Sequence, residues 1–412
     1  MRTEEAYSIL DIINEENGVI LTKGGNICIS YQLEEPECYS LSREDIDQRN
    51  SLMKEAFKFL PDGCFVHKQD LYLRKNYHAV PLNWSFLDIA DAKHFEGRLY
   101  MQHLCIIHFV LTGLNSLDKA YISSPLAYKE NLHKEDLEKL SDFLEAINNC
   151  VSIIKNLRDT RIAPIKGEDL KNYISGYSNI FSDTNAITDI HVDNELHVGK
   201  IKARYFCICD ETMFPDNSVS SYVKDSSLPM ANAELYHPLL EELGMYLPYN
   251  HIVNQIIYLE GNEKLRAQIA RNIDIYGSNS SMSKSIKVQF EKLDKLQEEI
   301  LEENEILVRT HFSVCIFDES GSNLDKAEKT VKETLNINQF KYYIPGYENL
   351  AKIHFSCVPG QISCMPKEYL VLTTLPIAIC LFLQCSEYTC HGFKCSAIKF
   401  YINLFLIFRP DK

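Results

Sequence analysis

The chain has 412 residues, 45% of them hydrophobic and 24% charged, with a formal net charge of −15. That length accommodates two or three domains with a sizeable core, and the composition is that of an ordinary soluble globular protein. The acidic balance argues against a general nucleic-acid-binding surface, because neutralising phosphates requires clustered Lys and Arg.

The first segment reads as strand, helix, strand. Residues 18–25 suggest a strand running into a glycine turn, and Asn26 to Leu33 continues with period-two alternation. Ser42 is an expected N-cap, with Asp45 in the place of a capping-box Glu, and the helix it opens runs to Phe59. Leu52, Ala56 and Phe59 or Leu60 fall on its apolar face. Pro61-Asp62-Gly63 stops that helix, and Cys64 to Leu73 reads as another strand.

A second cycle follows. Leu104 to Thr112 is a short β-rich apolar run, best read as a buried strand. Lys134 to Leu157 is amphipathic, with Leu137, Leu140, Leu144, Ile147, Val151 and Ile154 at steps of three and four. Arg161 to Ile165 suits an edge strand, since Pro164 cannot donate to a ladder. The order strand–helix–strand–strand–helix–strand is that of a split βαβ sheet.

The second half opens on a polar loop over residues 178–190. A hairpin turning at Asp193-Asn194 is expected next, then a strand from Lys200 to Cys209 and a polar mobile loop over 215–232. Gln255 to Glu260 is strand-like, Asn262 to Gly277 helical, and Ser283 opens another helix. Leu307 to Phe317 alternates like a strand, and Ser322 is the expected cap of a helix to Leu335, aided by Asp325. Phe340 to Ile344 and Ile353 to Val358 are read as further strands. The fold class expected is therefore α+β, with mixed sheets of split βαβ type and long amphipathic helices. Residues 1–180 form one α+β subdomain and 190–365 a second; 366–412 form a boundary segment and an aberrant tail.

The polar, acidic start Met1 to Glu5 lacks the apolar core of a signal peptide, so the fourteen cysteines are expected to be reduced thiols of a cytoplasmic protein. Leu370 to Leu383 is shorter than the ~20 residues a membrane-crossing helix needs and contains Pro376, which favours a buried core segment.

The chemistry-bearing residues form weak patterns. His103 and His108 lie on or near the buried strand, where a satisfied structural histidine is the usual case. Cys207 and Cys209 share a strand face with His197 upstream, and Cys385, Cys390, His391 and Cys395 cluster near the end. The first set lacks two further ligands nearby, and the second, with gaps of four and four and His391 beside Cys390, is a weak match to a structural zinc site. The sequence has neither a Gly-x-Ser-x-Gly elbow nor a His-Glu-x-x-His helix. A Gly-x-x-x-x-Gly-Lys-Ser/Thr loop is also missing: the nearest fragment, Gly199-Lys200, has Asn194 at the first glycine position and Ile201 where the hydroxyl belongs. No catalytic, cofactor-binding or metal-binding residue is assigned. The run Glu291 to Glu305 is strongly charged, as a solvated helix face or a docking helix would be.

Several segments together resemble the N-terminal part of a TraG-type conjugative-transposon ATPase, of the type IV secretion ATPase family. They are Ile9 to Ile13, Asn17 to Leu21, Gly25 to Leu33, the helix after Ser42 leading to Leu60-Pro61-Asp62-Gly63, Phe312 to Phe317, the helix 322–335, and Phe355 to Gly360. The resemblance implies a module that precedes a RecA-like ATPase domain and docks to channel proteins at the inner membrane and to other ATPase subunits. It also implies a cytoplasmic protein, peripheral at that membrane, without a transmembrane segment, bound nucleic acid or a cofactor of its own; ATP and Mg²⁺ belong to the full-length family member. From Gln384 the character changes, as a truncation or frameshift tail would. A truncated, non-functional gene product and a stand-alone enzyme with an unrecognised site are the alternatives.

Overall fold

A computed structural model describes residues 9–13, 18–22, 25–35, 42–78, 86–113, 134–182, 189–215, 222–224, 236–244, 246–279, 283–303 and 305–382. The protein is mixed α/β, built on one large antiparallel sheet. In its first half the sheet contains β1 (Ile9–Ile13), β2 (Val19–Thr22), β3 (Ile27–Glu34), β4 (Cys64–Asn76), β5 (Leu99–Leu111) and β6 (Arg161–Pro164). The second half adds β7 (Ile190–Val192), β8 (Leu196–Val198) and β9 (Ile201–Ile208). A separate two-stranded ribbon is formed by β10 (Tyr222–Lys224) and β11 (Tyr236–Pro238). The main sheet is completed by β12 (His251–Leu259), β13 (Leu307–Asp318) and β14 (Val371–Thr374).

The main path runs β1-β2-β3-β5-β4-β12-β13-β9-β8-β7, with β6 on β3 and β14 on β13. In the first half the spatial order is thus β6-β3-β5-β4, with every pair antiparallel. The two halves meet at β4 and β12, whose ladder runs from His251 opposite Tyr72 to Leu259 opposite Cys64.

Helices cover both faces. On one lie α1 (Arg43–Phe57) and, after α2 (Phe86–Phe95), α3 (Lys134–Ile154). Their Met53, Phe57, Phe143 and Ile147 meet Val66, Ile107 and Phe109 of the sheet. On the other, α4 (Gly167–Ser178) contributes Leu170, Tyr173 and Tyr177. The chain then builds α5 (Asn262–Asn279), α6 (Lys284–Glu303), α7 (Gly321–Ile337), α8 (Tyr347–Ser356) and α9 (Leu375–Phe382). Leu324, Ala327 and Val331 of α7 pack on Phe206 and Phe312, on the α1 face, while α8 joins α4 on the opposite one. With both faces covered, β4 is buried from Cys64 to Tyr72 without a break.

Several local expectations are corrected. Ile353 to Val358 is not a strand: Ile353 to Ser356 closes helix α8, whose Leu350, Ile353 and His354 bury one face at helical spacing. The β-rich composition there is overridden by packing against the sheet. Phe340 to Ile344 makes only a single bridge, Tyr343 exchanging two backbone hydrogen bonds with Cys207 at 2.8 Å each. The N-cap of α7 is Ser320 rather than Ser322, and its side chain makes no capping bond. Helices α2 and α4 were not anticipated. In α1 the buried face is Ile46, Arg49, Met53, Ala56 and Phe57, and Phe59 is exposed beyond the helix end.

The capping box is present as expected: Asp45 N–H donates to Ser42 Oγ at 3.1 Å and Ser42 N–H to Asp45 Oδ2 at 2.9 Å. Its backbone bond holds the Asp45 carboxyl below its ordinary pKa. Leu370 to Phe382 forms β14 and α9, with Leu375 and Ile379 in the core and Pro376 in the first turn, where no donor is lost. The tail 385–412, residues 183–188, most of the loop 215–232, and the Cys385/Cys390/His391/Cys395 cluster lie outside the described residues.

Candidate functional site

Strand β4 carries His67, Lys68, Gln69 and Asp70 in succession, all fully buried. Alternation sends Lys68 and Asp70 to the α1 face and His67 and Gln69 to the α4 face. Each pair finds partners of its own.

On the α1 face the charges alternate in a chain. Arg49 of α1 donates to Glu35 Oε1 at 3.1 Å, and Lys68 Nζ lies 3.6 Å from Glu35 Oε2. Lys68 donates to Asp70 Oδ2 at 2.8 Å, and His103 Nε2 of β5 lies 2.9 Å from Asp70 Oδ1. Burying any one of these charges alone costs several kcal/mol, which opposite-sign neighbours offset. For Asp70, burial raises the pKa, but Lys68 and then His103 outweigh it and hold the carboxyl below the usual range. Burial likewise disfavours the Lys68 ammonium, yet Asp70 outweighs it and Lys68 stays charged. The chain continues into a ring stack: Tyr72 lies between His103, at 4.4 Å, and His251, at 4.5 Å, near-parallel to both.

On the α4 face the network is neutral. Tyr173 donates to Gln69 Oε1 at 3.0 Å, and His108 Nε2 to the same oxygen at 2.9 Å. His108 Nδ1 is therefore free to accept from Ser30 Oγ at 2.8 Å. Gln69 Nε2 donates to Asn254 Oδ1 at 2.7 Å and to the Cys357 carbonyl at 3.0 Å, and His67 Nε2 donates to Asn254 Oδ1 at 3.1 Å. Burial drives His67 down to about 4 and His108 well below the ordinary histidine value. Both are held neutral, as donors and acceptors of fixed direction.

His103 and His108 thus each have a structural partner, and they belong to two different networks. Cys207 lies in the core beside Cys315 and Cys357, its thiol pushed up by burial and neighbouring cysteines, while His197 faces Asp193 at 3.5 Å. Among the described residues no three His, Cys, Asp or Glu side chains gather in a metal-holding geometry. Gly199-Lys200 forms the turn between β8 and β9. The buried row at 67–70 escaped the sequence reading; its signal is four consecutive polar residues inside an otherwise apolar strand.

A second candidate surface is the α5–α6 helical hairpin. At its base Leu265 and Ile269 pack with Ile300 and Leu307. Glu260, just before α5, takes hydrogen bonds from Lys264 at 2.7 Å and from Arg309 and Lys367. Its pKa is held at about 2, because these cations outweigh the partial burial that would raise it. Beyond the base the two helices touch mainly each other. A Cβ on Gly277 would lie 3.1 Å from the Phe290 ring, so glycine sets their close approach. Ile275 and Val288 are exposed at 58% and 49%. At 1.5 Å per residue these helices run roughly 27 and 30 Å, and among the described residues their fully buried side chains lie at the basal ends. Elsewhere a surface cleft of about 480 Å³ opens beside Arg74, Tyr100, Tyr249 and Lys326.

No protein-family model matches the chain, and no curated protein is detectably similar to it. No helix among the described residues is long and apolar enough to cross a membrane.

Proposed function

We propose that this chain is a non-catalytic assembly module, a sheet platform that presents the α5–α6 hairpin for docking. The observation that carries this reading is the hairpin itself, anchored among the described residues at its base through Leu265, Ile269 and Ile300, with charged and apolar residues left exposed beyond them. The buried polar rows on β4 support it too. Their hydrogen bonds and ion pairs are made to the protein's own side chains and backbone, so they serve register and rigidity.

In its finer form the reading is the N-terminal module of a TraG-type conjugative DNA-transfer ATPase. It would dock to channel proteins at the inner membrane and to other ATPase subunits, from the cytoplasmic side. The segments quoted above for that resemblance support it, as does the order β6-β3-β5-β4, which is that of a split βαβ sheet. On this reading the described residues hydrolyse no ATP themselves.

Two measurements test it. Titration of the purified chain with Mg²⁺-ATP is expected to give no saturable binding; micromolar affinity with Mg²⁺-dependent turnover overturns the non-catalytic reading. Co-expression with the channel proteins of a conjugative secretion system is expected to yield a complex that survives gel filtration and is lost when the distal hairpin is shortened. Failure to recover any such complex overturns the conjugative assignment.

A further inference from the structure

The outward face of α6 has a charge polarity that its own helix does not favour. Lys284, Lys287, Val288, Glu291, Asp294 and Glu298 are all exposed, and their steps of one, three and four residues place them on one stripe. Read from the N-terminus, that stripe is basic, then apolar at Val288, then mainly acidic, with Lys295 falling among the acids by the same spacing. A helix has partial positive charge at its N-terminus and partial negative charge at its C-terminus, so it is stabilised by the opposite arrangement. The first turn of α6 contains no acid and the last turn no base. The Lys287–Glu291 pair at 3.8 Å runs in the less favourable i,i+4 direction and is largely exposed. Within the helix the spacing of Glu291 and Lys295 has the favourable order, but it gives no reason for the basic start and the acidic end.

A second copy laid antiparallel supplies one. The basic half of each α6 then faces the acidic half of the other, and the two helix dipoles oppose. A two-fold axis near Gln289 sets the two copies of Val288 on either side of the axis, Lys287 opposite Glu291, and Lys284 opposite Asp294, each charge contact occurring twice as an isologous interface requires. We propose that this stripe of α6 is a self-association surface, through which two copies of the chain pair antiparallel. The pairing needs only the α6 face and stands whether or not the chain belongs to a conjugative ATPase. One helix pair falls short of the ~1,200 Å² total area typical of a stable interface. The dimer is accordingly weak and reversible, and it is salt-sensitive because exposed charges are screened within about 10 Å at 0.1 M salt.

Sedimentation equilibrium of the intact chain tests this. At low ionic strength a concentration-dependent monomer–dimer equilibrium is expected, weakening about tenfold or more once the salt shortens the screening length to about 3 Å near 1 M. The variants K284E/K287E and E291K/D294K are each expected to be monomeric where the wild type dimerises, and an equimolar mixture of the two is expected to restore a dimer. All substituted positions are exposed, and circular dichroism checks that the fold is kept. A wild type that is monomeric throughout, a dimer indifferent to salt, or two variants that both still dimerise alone would each overturn the proposal.

Discussion

Lys68 Nζ lies 2.8 Å from Asp70 Oδ2, two residues along the same strand and on the same face, with neither side chain in contact with solvent. The pair survives in the core because Glu35 and Arg49 extend it on one side and His103 on the other. It depends on three separate elements, β4, β5 and the junction of β3 with α1, being in register.

Breaking this chain of charges is expected to be costly. Lys68→Met leaves Glu35 and Asp70 short of a cation and should destabilise by about 3–5 kcal/mol in urea denaturation. Asp70→Asn strands the Lys68 ammonium and should cost a similar amount. The double variant should lose less than the two singles combined, with about 0.5–3 kcal/mol of coupling. Two singles within the error of wild type would show that the row contributes nothing to stability.

Stability should also fall on mild acidification. Burial pushes His67, His251, His311 and His354 each down to about 4 in the folded state. Unfolded, they titrate near 6.5, so between those values the unfolded chain binds more protons. Their contribution is complete above about pH 6.5 and is lost as pH falls towards 4, by up to roughly 3 kcal/mol per histidine. Asp70, whose pKa is depressed, adds a further loss as pH drops below the ordinary carboxylate range. Denaturation midpoints at pH 7, 5.5 and 4.5 should decline steadily, and His354→Gln should flatten the slope. A midpoint unchanged across that range contradicts the burial of neutral imidazoles.

Gly18 is expected to resist substitution. It has φ of 62°, in the left-handed region, and a Cβ there would stand 2.4 Å from the Ile165 carbonyl oxygen. Gly18→Ala should therefore lower stability by more than about 1 kcal/mol, through both strain and displacement of the strand-β6 end. Thermal unfolding reads it out; a neutral or stabilising alanine would mean that the backbone there relaxes freely.

The two ends of the α5–α6 hairpin should respond differently. Ile269→Ala removes a buried side chain at the base and should cost about 2–5 kcal/mol. Ile275→Ser lies on the exposed part and should change stability by less than about 0.5 kcal/mol. Hydrogen exchange should be slow around Leu265 and Ile269 and faster towards Asn279, because few buried contacts restrain the distal turns. Uniform protection along both helices would contradict anchoring at the base alone.

Much of the fold is legible locally. Ser42 and Asp45 announce the start of α1 because capping is a bond between residues three apart. The apolar runs of β4 and β5 and the amphipathic repeat of α3 likewise mark their own elements. The same reasoning failed at Ile353 to Ser356, where β-branched and aromatic residues follow a helix because α8 packs against α4 and the sheet. It also missed α4, whose Leu170, Tyr173 and Tyr177 are apolar only in relation to the surface they cover.

The candidate surfaces divide in the same way. The charge order along α6 is a property of the sequence, since neighbours on a helix are set by spacing alone. That Lys284, Lys287, Glu291 and Asp294 share an exposed stripe, on a hairpin held only at its base, was decided by the tertiary structure.

For β4 the division is sharper. The sequence by itself determined a strand with polar residues at 67–70, and alternation fixed that Lys68 and Asp70 share one face while His67 and Gln69 share the other. Only the tertiary structure decided that all four are buried, with Lys68, Gln69 and Asp70 partnered and His67 held through Nε2 alone. Pairing of β3, β5 and β4 brings Glu35 to Lys68, His103 to Asp70 and His108 to Gln69, with Arg49 of α1 closing on Glu35, whereas Asn254 reaches His67 and Gln69 only when the two halves of the sheet join at β12.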